Sequence, residues 1–466
     1  MCGVFGIIAT VRGPQDVFTD AVNGLFQMQH RGQDACGLAI NDGKRIRLHK
    51  SLGYVREVFA KRPYQEFRGQ SAIGHVRYPT QGGNRRVNAQ PHRVRTLNGT
   101  VMTLSSNGDV TNYDVVRAGL EEQGVEFIGT NDAELLVKFI AHAHLVEGLS
   151  IIDAIRRLQE TIQGAYSTVL LNHDGIYAFR DPYALRPLCF GQSDDAWVVA
   201  SETNALDICL ADHVDDLEAA EIVFFDGTDV TRHPHPDPVA ARSGRSNPTH
   251  CSFEHIYFSR PDSITFGQRV YDVRKRIGAW LAEQDDITPD VVVPVPDSSN
   301  AVALGYAHAA GVPFEFGLIR NHYVGRTFIS PDQPRRDEGV RQKFNPLRSI
   351  FKGKRVVLVD DSIVRGTTLK KIVRIVRRNG AEEVHLRIGS PVTKYSCYYG
   401  VDTPDAEHLI GNQMDVQAIC DHLEADSLNY LSLDGLTTCL ADGPHYCMAC
   451  FDGNYPVPIP SRKKSK

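Results

Sequence analysis

Short apolar runs punctuate the first half of the chain, at 72–78, 100–105, 166–171, 197–200 and 221–225, and each predicts a β-strand. Between them, 131–146 and 151–163 carry apolar residues at helical spacing, for example Leu135, Leu136, Phe139 and Ile140. Strand clusters separated by helix clusters predict a layered α+β domain. A Pro-, His-, Ser- and Arg-rich stretch at 233–248 breaks the pattern and reads as a linker. Beyond it the rhythm changes. Residues 291–295, 355–359 and 384–388 are continuous apolar runs, as expected for strands covered on both faces. Residues 366–379 predict a helix with Leu369, Ile372, Val373 and Val376 on one stripe and Gly380 as its stop. Strand, acidic turn, helix, strand is a parallel α/β unit. No internal repeat or low-complexity segment is present.

Composition narrows the function classes. The chain has 466 residues, 42% hydrophobic and 23% charged, with a formal net charge of −5. That length suits two or three domains. A mildly acidic chain is a poor candidate for nucleic-acid binding, and the basic run 462–466 reads as a solvated tail. No apolar stretch approaches the roughly 20 residues of a membrane span, and the N-terminus lacks the basic start of a secretory signal. A cytoplasmic protein with no membrane or nucleic-acid partner is expected. In such a compartment the 10 cysteines should be free thiols, metal ligands or catalytic groups.

One of them, Cys2, directly follows Met1 and precedes the small Gly3. Removal of Met1 would give Cys2 a free α-amine, with an ordinary pKa near 8, able to act as base for its own thiol. A chance cysteine at a frayed terminus is the alternative.

Four further strings follow in order: Gln29-His30-Arg31-Gly32-Gln33-Asp34, Gly74-His75-Val76-Arg77-Tyr78-Pro79-Thr80, Asn107-Gly108 and Asn131-Asp132-Ala133-Glu134. Together with Met1-Cys2-Gly3-Val4-Phe5-Gly6 they resemble the N-terminal-nucleophile glutaminase domain of class II glutamine amidotransferases. The resemblance implies a four-layer αββα domain in which Cys2 attacks the glutamine amide and forms a thioester. Asn107 and Gly108 would supply oxyanion donors, each worth roughly 3 kcal/mol. Arg77 would take the α-carboxylate as a bidentate fork. Asp132 would take the α-ammonium, and Thr80 would complete the glutamine site. Taken singly, Asn107-Gly108 also suits a turn, Arg77 a surface charge, Asp132 the helix dipole, and Asn131 with Glu134 a capping box. The chain departs from the family's usual residues at Ser106, Asn131, Ala133, Tyr183, Ala184, Ala219 and Ala220.

Val356-Val357-Leu358-Val359-Asp360-Asp361-Ser362-Ile363-Val364-Arg365-Gly366-Thr367-Thr368 places two acids at a strand end, then a small-residue loop opening a helix. Helix N-termini and such loops hold phosphate through backbone N–H groups. Paired carboxylates there suit ribose hydroxyls and magnesium. An acidic turn plus a helix cap is the plain alternative. The string resembles the phosphoribosyl pyrophosphate (PRPP) motif of type I phosphoribosyltransferases. That likeness implies Asp360 and Asp361 facing ribose and Mg²⁺, Val364, Arg365, Gly366, Thr367 and Thr368 cradling the 5-phosphate, and Ser362 among the PRPP-binding residues. Pro296-Asp297-Ser298-Ser299 looks like the pyrophosphate loop, with Ser298 at a metal-contacting position and Ser299 beside it. Residues 323–329, including Arg326, resemble the start of a loop that closes over PRPP. His322 stands where the family usually has Arg.

Cys447-Met448-Ala449-Cys450 is a C-x-x-C, with Cys251 and Cys397 upstream. Four thiolates suit Zn²⁺ or an iron–sulfur cluster, and spacing alone does not separate them. Four unrelated buried cysteines remain the simpler alternative. Cys36, Cys189, Cys209, Cys420 and Cys439 match no usable pattern.

Both domains in this order resemble the amidophosphoribosyltransferase family, in its iron–sulfur-bearing branch. The likeness implies a glutaminase domain at 2–232, a linker at 233–250, and at 251–466 a type I phosphoribosyltransferase domain with a mostly parallel sheet and a C-terminal cluster-binding segment. It implies the reaction of glutamine and PRPP to 5-phosphoribosylamine, glutamate and pyrophosphate, with ammonia channelled between sites. It further implies Mg²⁺, a structural [4Fe–4S] cluster at Cys251, Cys397, Cys447 and Cys450, purine nucleotide inhibitors and a homotetramer. Two other readings compete: a specialised relative aminating PRPP or a similar sugar, and a non-catalytic PRPP-binding regulator.

Overall fold

The computed structural model describes residues 2–11, 13, 16–60, 67–79, 83–97, 99–235, 249–323, 342–441 and 445–459. Thr80, Arg326, the rest of the closing-loop string after Tyr323, linker residues 236–248 and the basic tail lie outside them.

The first half is built on two antiparallel sheets. One has seven strands in the order Asp212–Asp216, Cys189–Gln192, Ala196–Ala200, Gly3–Ala9, Ser71–Arg77, Ala35–Asn41, Ile46–Leu52. The other has six, Val230–His233, Ile222–Phe225, Ile176–Arg180, Gly164–Leu171, Gly99–Val110, His92–Thr96. Val4, Ile8 and Ile73 meet Val169, Leu171 and Ile176 between the sheets. Helix Phe18–Gln27 covers the outer face of the first sheet, its Phe18 and Leu25 packing with Phe5 and Leu38. Helices Asp132–Leu145 and Ile151–Thr161 cover the second through Leu136, Ile140, Ile155 and Leu158. Helix, sheet, sheet, helix is the expected four-layer arrangement.

Four local expectations change. The strand predicted at 100–105 runs on to Val110, and Asn107 and Gly108 pair there with Ser167 and Tyr166 instead of turning. A twelve-residue strand held along most of its length against a neighbour outweighs the turn preference of one dipeptide. Arg77 is 1% exposed, so it is no surface charge. Asn131 caps its helix by accepting from Ala133 N, but Glu134 accepts from Ile128 N and Gly129 N, so the capping box is half formed. The predicted linker begins one residue early, since His233 closes a strand. Ala184 and Ala220 stand at φ 51° and 56°, a left-handed region that costs a side-chain-bearing residue about 1–2 kcal/mol.

In the second half four parallel strands lie in the order Val291–Pro294, Arg355–Asp360, Glu383–Ile388, Ser427–Tyr430. Val270–Glu283 and Asn300–Ala310 cover one face. Thr367–Arg378 and Val416–Leu423 cover the other. Both faces are buried, which is why these strands read as unbroken apolar runs. No helix among the described residues is long and apolar enough to cross a membrane.

Candidate active sites

Cys2 precedes the strand Gly3–Ala9, at the centre of its sheet. Its backbone nitrogen donates to Asn107 Oδ1 at 3.2 Å, and its thiol donates to the Tyr78 carbonyl at 3.5 Å. Asn107 Nδ2 is buried and has no hydrogen-bond partner. Gly108 has φ 151°, and a Cβ there would stand 1.8 Å from the Ala165 carbonyl oxygen. Only glycine brings this strand so close to its neighbour with the backbone so turned.

A cavity of about 20 Å³ beside the thiol is lined by Cys2, Arg77, Gly108, Asp109, Asp132 and Gln90, among others. It holds a water or two and must widen to admit an amino acid. Asp132 Oδ2 accepts from Val110 N at 2.8 Å, while its Oδ1 is buried without a partner. Burial and the neighbouring Asp109 push the Asp132 carboxyl well above its ordinary range. Arg77 donates to the Gly83 carbonyl at 2.9 Å. Burial lowers its pKa, opposed by the charges of Cys2, Asp34, Asp132 and Asp109. One cavity thus gathers a thiol, a cation and an acid, and the asparagine bonded to the Cys2 nitrogen carries an unspent N–H donor. A bound amino acid would supply the charges that Arg77 and Asp132 face. Asp109 and Gln90 were not anticipated. Gln90 grips the strand Gly99–Val110 through Ser106, accepting from its N–H at 2.7 Å and donating to its carbonyl at 3.2 Å.

The second site lies at the carboxyl ends of the strands Val291–Pro294 and Arg355–Asp360, where open parallel sheets bind ligands. Asp361 accepts from Ser298 Oγ and from Ser362 Oγ, each at 2.6 Å. Asp360 accepts from Ser299 Oγ at 3.2 Å and from Asp361 N at 3.0 Å. Burial, then the charge of Asp361, pushes Asp360 well up; burial also raises Asp361. Such a pair is short of positive charge, and its donor set of carboxylates and hydroxyls fits a hard divalent cation. Gly366, at φ 73°, turns the chain into the helix Thr367–Arg378, which has no side-chain N-cap. Its first N–H groups are therefore open to a phosphate. Val364 is fixed by its carbonyl, which accepts from Ile410 N. Arg365 and Thr367 are exposed at the loop, and Thr368 is half-buried.

The cysteines also converge. Cys251 and Cys447 are partners in the parallel pair His250–Cys251 and Tyr446–Cys447. Cys450 is pushed up by burial and then by Cys397, Cys447 and Cys251, so all four thiols share one field. Arg186 faces Cys251 and Cys397 from the other half of the chain. Among the described residues, however, no group of three or more His, Cys, Asp or Glu is gathered so as to hold a metal ion.

Known proteins resemble both halves. A family described as "Glutamine amidotransferase domain" matches residues 84–208, and "Phosphoribosyl transferase domain" matches 262–416. The amidophosphoribosyltransferase of Synechocystis sp. is 42% identical over 465 residues, covering 98% of this chain and 91% of that one. That of Methanothermobacter thermautotrophicus is 40% identical, covering 99% and 95%. A solved structure of the glutamine PRPP amidotransferase from Bacillus subtilis, complexed with ADP and GMP, superposes with a TM-score of 0.89 at 39% identity, covering 99% of this chain and 98% of that one.

Proposed function

The chain belongs to the amidophosphoribosyltransferase family, and from that premise we propose how its own residues divide the work. The reaction moves the amide nitrogen of glutamine to C1 of PRPP in purine biosynthesis, releasing glutamate and pyrophosphate. Cys2, with Met1 removed, is the nucleophile. Its amine donates to Asn107 Oδ1 and keeps its lone pair for the thiol proton. The thiolate attacks the glutamine amide carbon. The oxyanion is met by Asn107 Nδ2 and the Gly108 N–H; the α-ammonium hands the thiol's proton to the leaving nitrogen, the C–N bond of the tetrahedral intermediate breaks to release ammonia, and the acyl-thioester that forms is hydrolysed by water. Arg77 and Asp132 hold the α-carboxylate and α-ammonium, with Thr80 alongside. The observation that carries this reading is the buried, unpartnered Nδ2 of an asparagine already bonded to Cys2.

In the second domain Asp360 and Asp361 hold the ribose hydroxyls and Mg²⁺, with Ser298 as a further metal contact. When bound there, Mg²⁺ would supply positive charge for the pyrophosphate leaving group. Residues 362–368 take the 5-phosphate on backbone N–H groups, and Ser299 and Arg326 complete the PRPP site. Divided into a first domain that runs to His233 and a second from Cys251, the chain must pass ammonia between the domains without water, because protonated ammonia is no nucleophile. Cys251, Cys397, Cys447 and Cys450 hold a structural [4Fe–4S] cluster, supported by their shared field and the Cys251–Cys447 pairing. Purine nucleotides inhibit, and the assembly is a homotetramer. The B. subtilis relative that carries ADP and GMP supports the nucleotide reading.

The test is incubation with amide-¹⁵N glutamine, PRPP and Mg²⁺. Labelled 5-phosphoribosylamine is expected. Unlabelled product, or none with both substrates bound, removes the proposal.

A further inference from the structure

Behind the nucleophile lies a buried ionic network that crosses from one half of the chain to the other. Arg31 Nε donates to the Cys2 carbonyl at 2.9 Å. The rest of the guanidinium is taken up by acids. Nη2 donates to Glu254 Oε1 at 2.8 Å, and Nη1 donates to Glu254 Oε2 at 3.0 Å and to Glu202 Oε1 at 2.5 Å. Arg31 is 1% exposed, and both glutamates are 0% exposed.

Glu202 belongs to the first half. Glu254 belongs to the second, on the short turn Glu254–Phe258, whose i→i+5 bonding runs from Ser259 N to the Glu254 carbonyl at 3.0 Å. The Glu254 carboxylate is itself fully held. It accepts from Ser259 Oγ at 2.9 Å and from Arg186 Nη1 at 3.3 Å. Arg186 Nε in turn donates to the Tyr399 carbonyl at 2.7 Å. From the far side, Arg274 fixes the turn through the carbonyls of His255 and Ser259, at 2.7 and 2.9 Å.

A nucleophile at a chain terminus has few backbone anchors. Here they are the amine on Asn107 and the carbonyl on Arg31. The second holds only as well as the guanidinium plane is held. Two-point Arg–carboxylate pairing fixes that plane more firmly than any single bond, and the pairing acid is Glu254.

We propose that Glu254 is a positioning residue for Cys2: through Arg31 it sets the Cys2 carbonyl, and the glutaminase site is complete only with a carboxylate supplied by the phosphoribosyltransferase half. Glu254 touches no substrate. Its effect is confined to the geometry of thiol attack, where displacements of about an ångström cost on the order of 10²-fold. The inference rests on Cys2 as the glutaminase nucleophile.

The test uses the full chain with Glu254→Gln, Glu254→Asp and Cys2→Ala. Glutamine-dependent and ammonia-dependent synthesis of 5-phosphoribosylamine are measured side by side, with the rate of Cys2 alkylation by 6-diazo-5-oxo-L-norleucine. For Glu254→Gln the glutamine-dependent kcat and the alkylation rate should fall together, roughly 10- to 100-fold. Ammonia-dependent synthesis should stay at the wild-type rate. Glu254→Asp should lie between the two, and it decides the matter by the same ratio if Glu254→Gln does not fold. A ratio of the two activities equal to wild type in the folded variants overturns the inference, because a merely structural role moves both together. If Cys2→Ala keeps glutamine-dependent synthesis, the nucleophile assignment falls instead.

Discussion

The side-chain oxygen of Asn107 lies 3.2 Å from the backbone nitrogen of Cys2, and the amide nitrogen on the same side chain is buried with no partner. In the proposed mechanism this one residue orients the base and keeps a donor in reserve for an anion that exists only during the reaction. Asn107→Ala should lower glutamine-dependent kcat by about 10²- to 10³-fold with little change in KM, since the lost bond forms in the transition state. Ammonia-dependent synthesis should persist. A proportional rise in KM for glutamine would show that Asn107 serves ground-state binding instead.

Asp360 and Asp361 set function against stability. Both carboxyls are raised by burial, and each accepts hydroxyl or backbone hydrogen bonds at the strand end. A raised folded-state pKa means that ionising the pair at neutral pH opposes folding unless a cation is bound. Asp360→Asn with Asp361→Asn should therefore abolish the PRPP reaction while holding or raising Tm in chelator. Added Mg²⁺ should raise Tm in wild type and leave the double variant unchanged. Thermal melts with and without Mg²⁺, beside activity, check this. Near-wild-type turnover in the variant would remove the acids from the site.

What could be read from the sequence divides by range. The PRPP string was legible because its strand, acids, loop and helix are contiguous, so local pattern and site coincide. Cys2, Arg77, Asn107 and Asp132 were legible only as an ordered set. Singly, local preference misled, as when Asn107-Gly108 suggested a turn where Ser167 and Tyr166 hold a strand. Glu254 was not legible. Its partner Arg31 is 223 residues away, and nothing in a run of aromatic residues marks one acid as an ion-pair partner across the fold. Asp109 was missed for a related reason: in sequence it continues a strand, and only the fold turns it toward Asp132.

His75 makes acid sensitivity testable. It is fully buried against the strand Gly99–Val110, with Nε2 3.2 Å from the Ser106 carbonyl, so the neutral ring donates there. Burial, then the charge of Arg77, pulls its pKa down to about 3 from an ordinary 6.5. The unfolded chain therefore takes up a proton that the fold refuses. Stability is present in full above pH 6.5 and declines as pH falls toward 3, by about 1.4 kcal/mol per unit for this residue. Urea denaturation at pH 7.5, 6.5 and 5.5, followed in the glutaminase domain, should show the decline below 6.5, and His75→Gln should make it shallower, leaving the share of His92, whose pKa burial also lowers. An equal slope in the variant would place the acid sensitivity elsewhere.

The thiols give the last prediction. Burial pushes Cys251, Cys447 and Cys450 up, and each also feels the charge of Cys397. Left as four neutral thiols they are compatible with the fold. As four thiolates they require a compensating positive core, which Arg186 alone does not provide. Protein purified without oxygen should be brown and carry about four irons per chain, as a four-thiolate cluster requires. Cys450→Ser should lose iron and colour. Because Cys447 and Cys251 join the C-terminal segment to the start of the second domain, it should also free that segment to proteolysis. Colourless wild-type protein with one zinc per chain would assign the thiols to a single tetrahedral ion. Metal-free protein with an unaltered proteolysis pattern would make them ordinary buried cysteines.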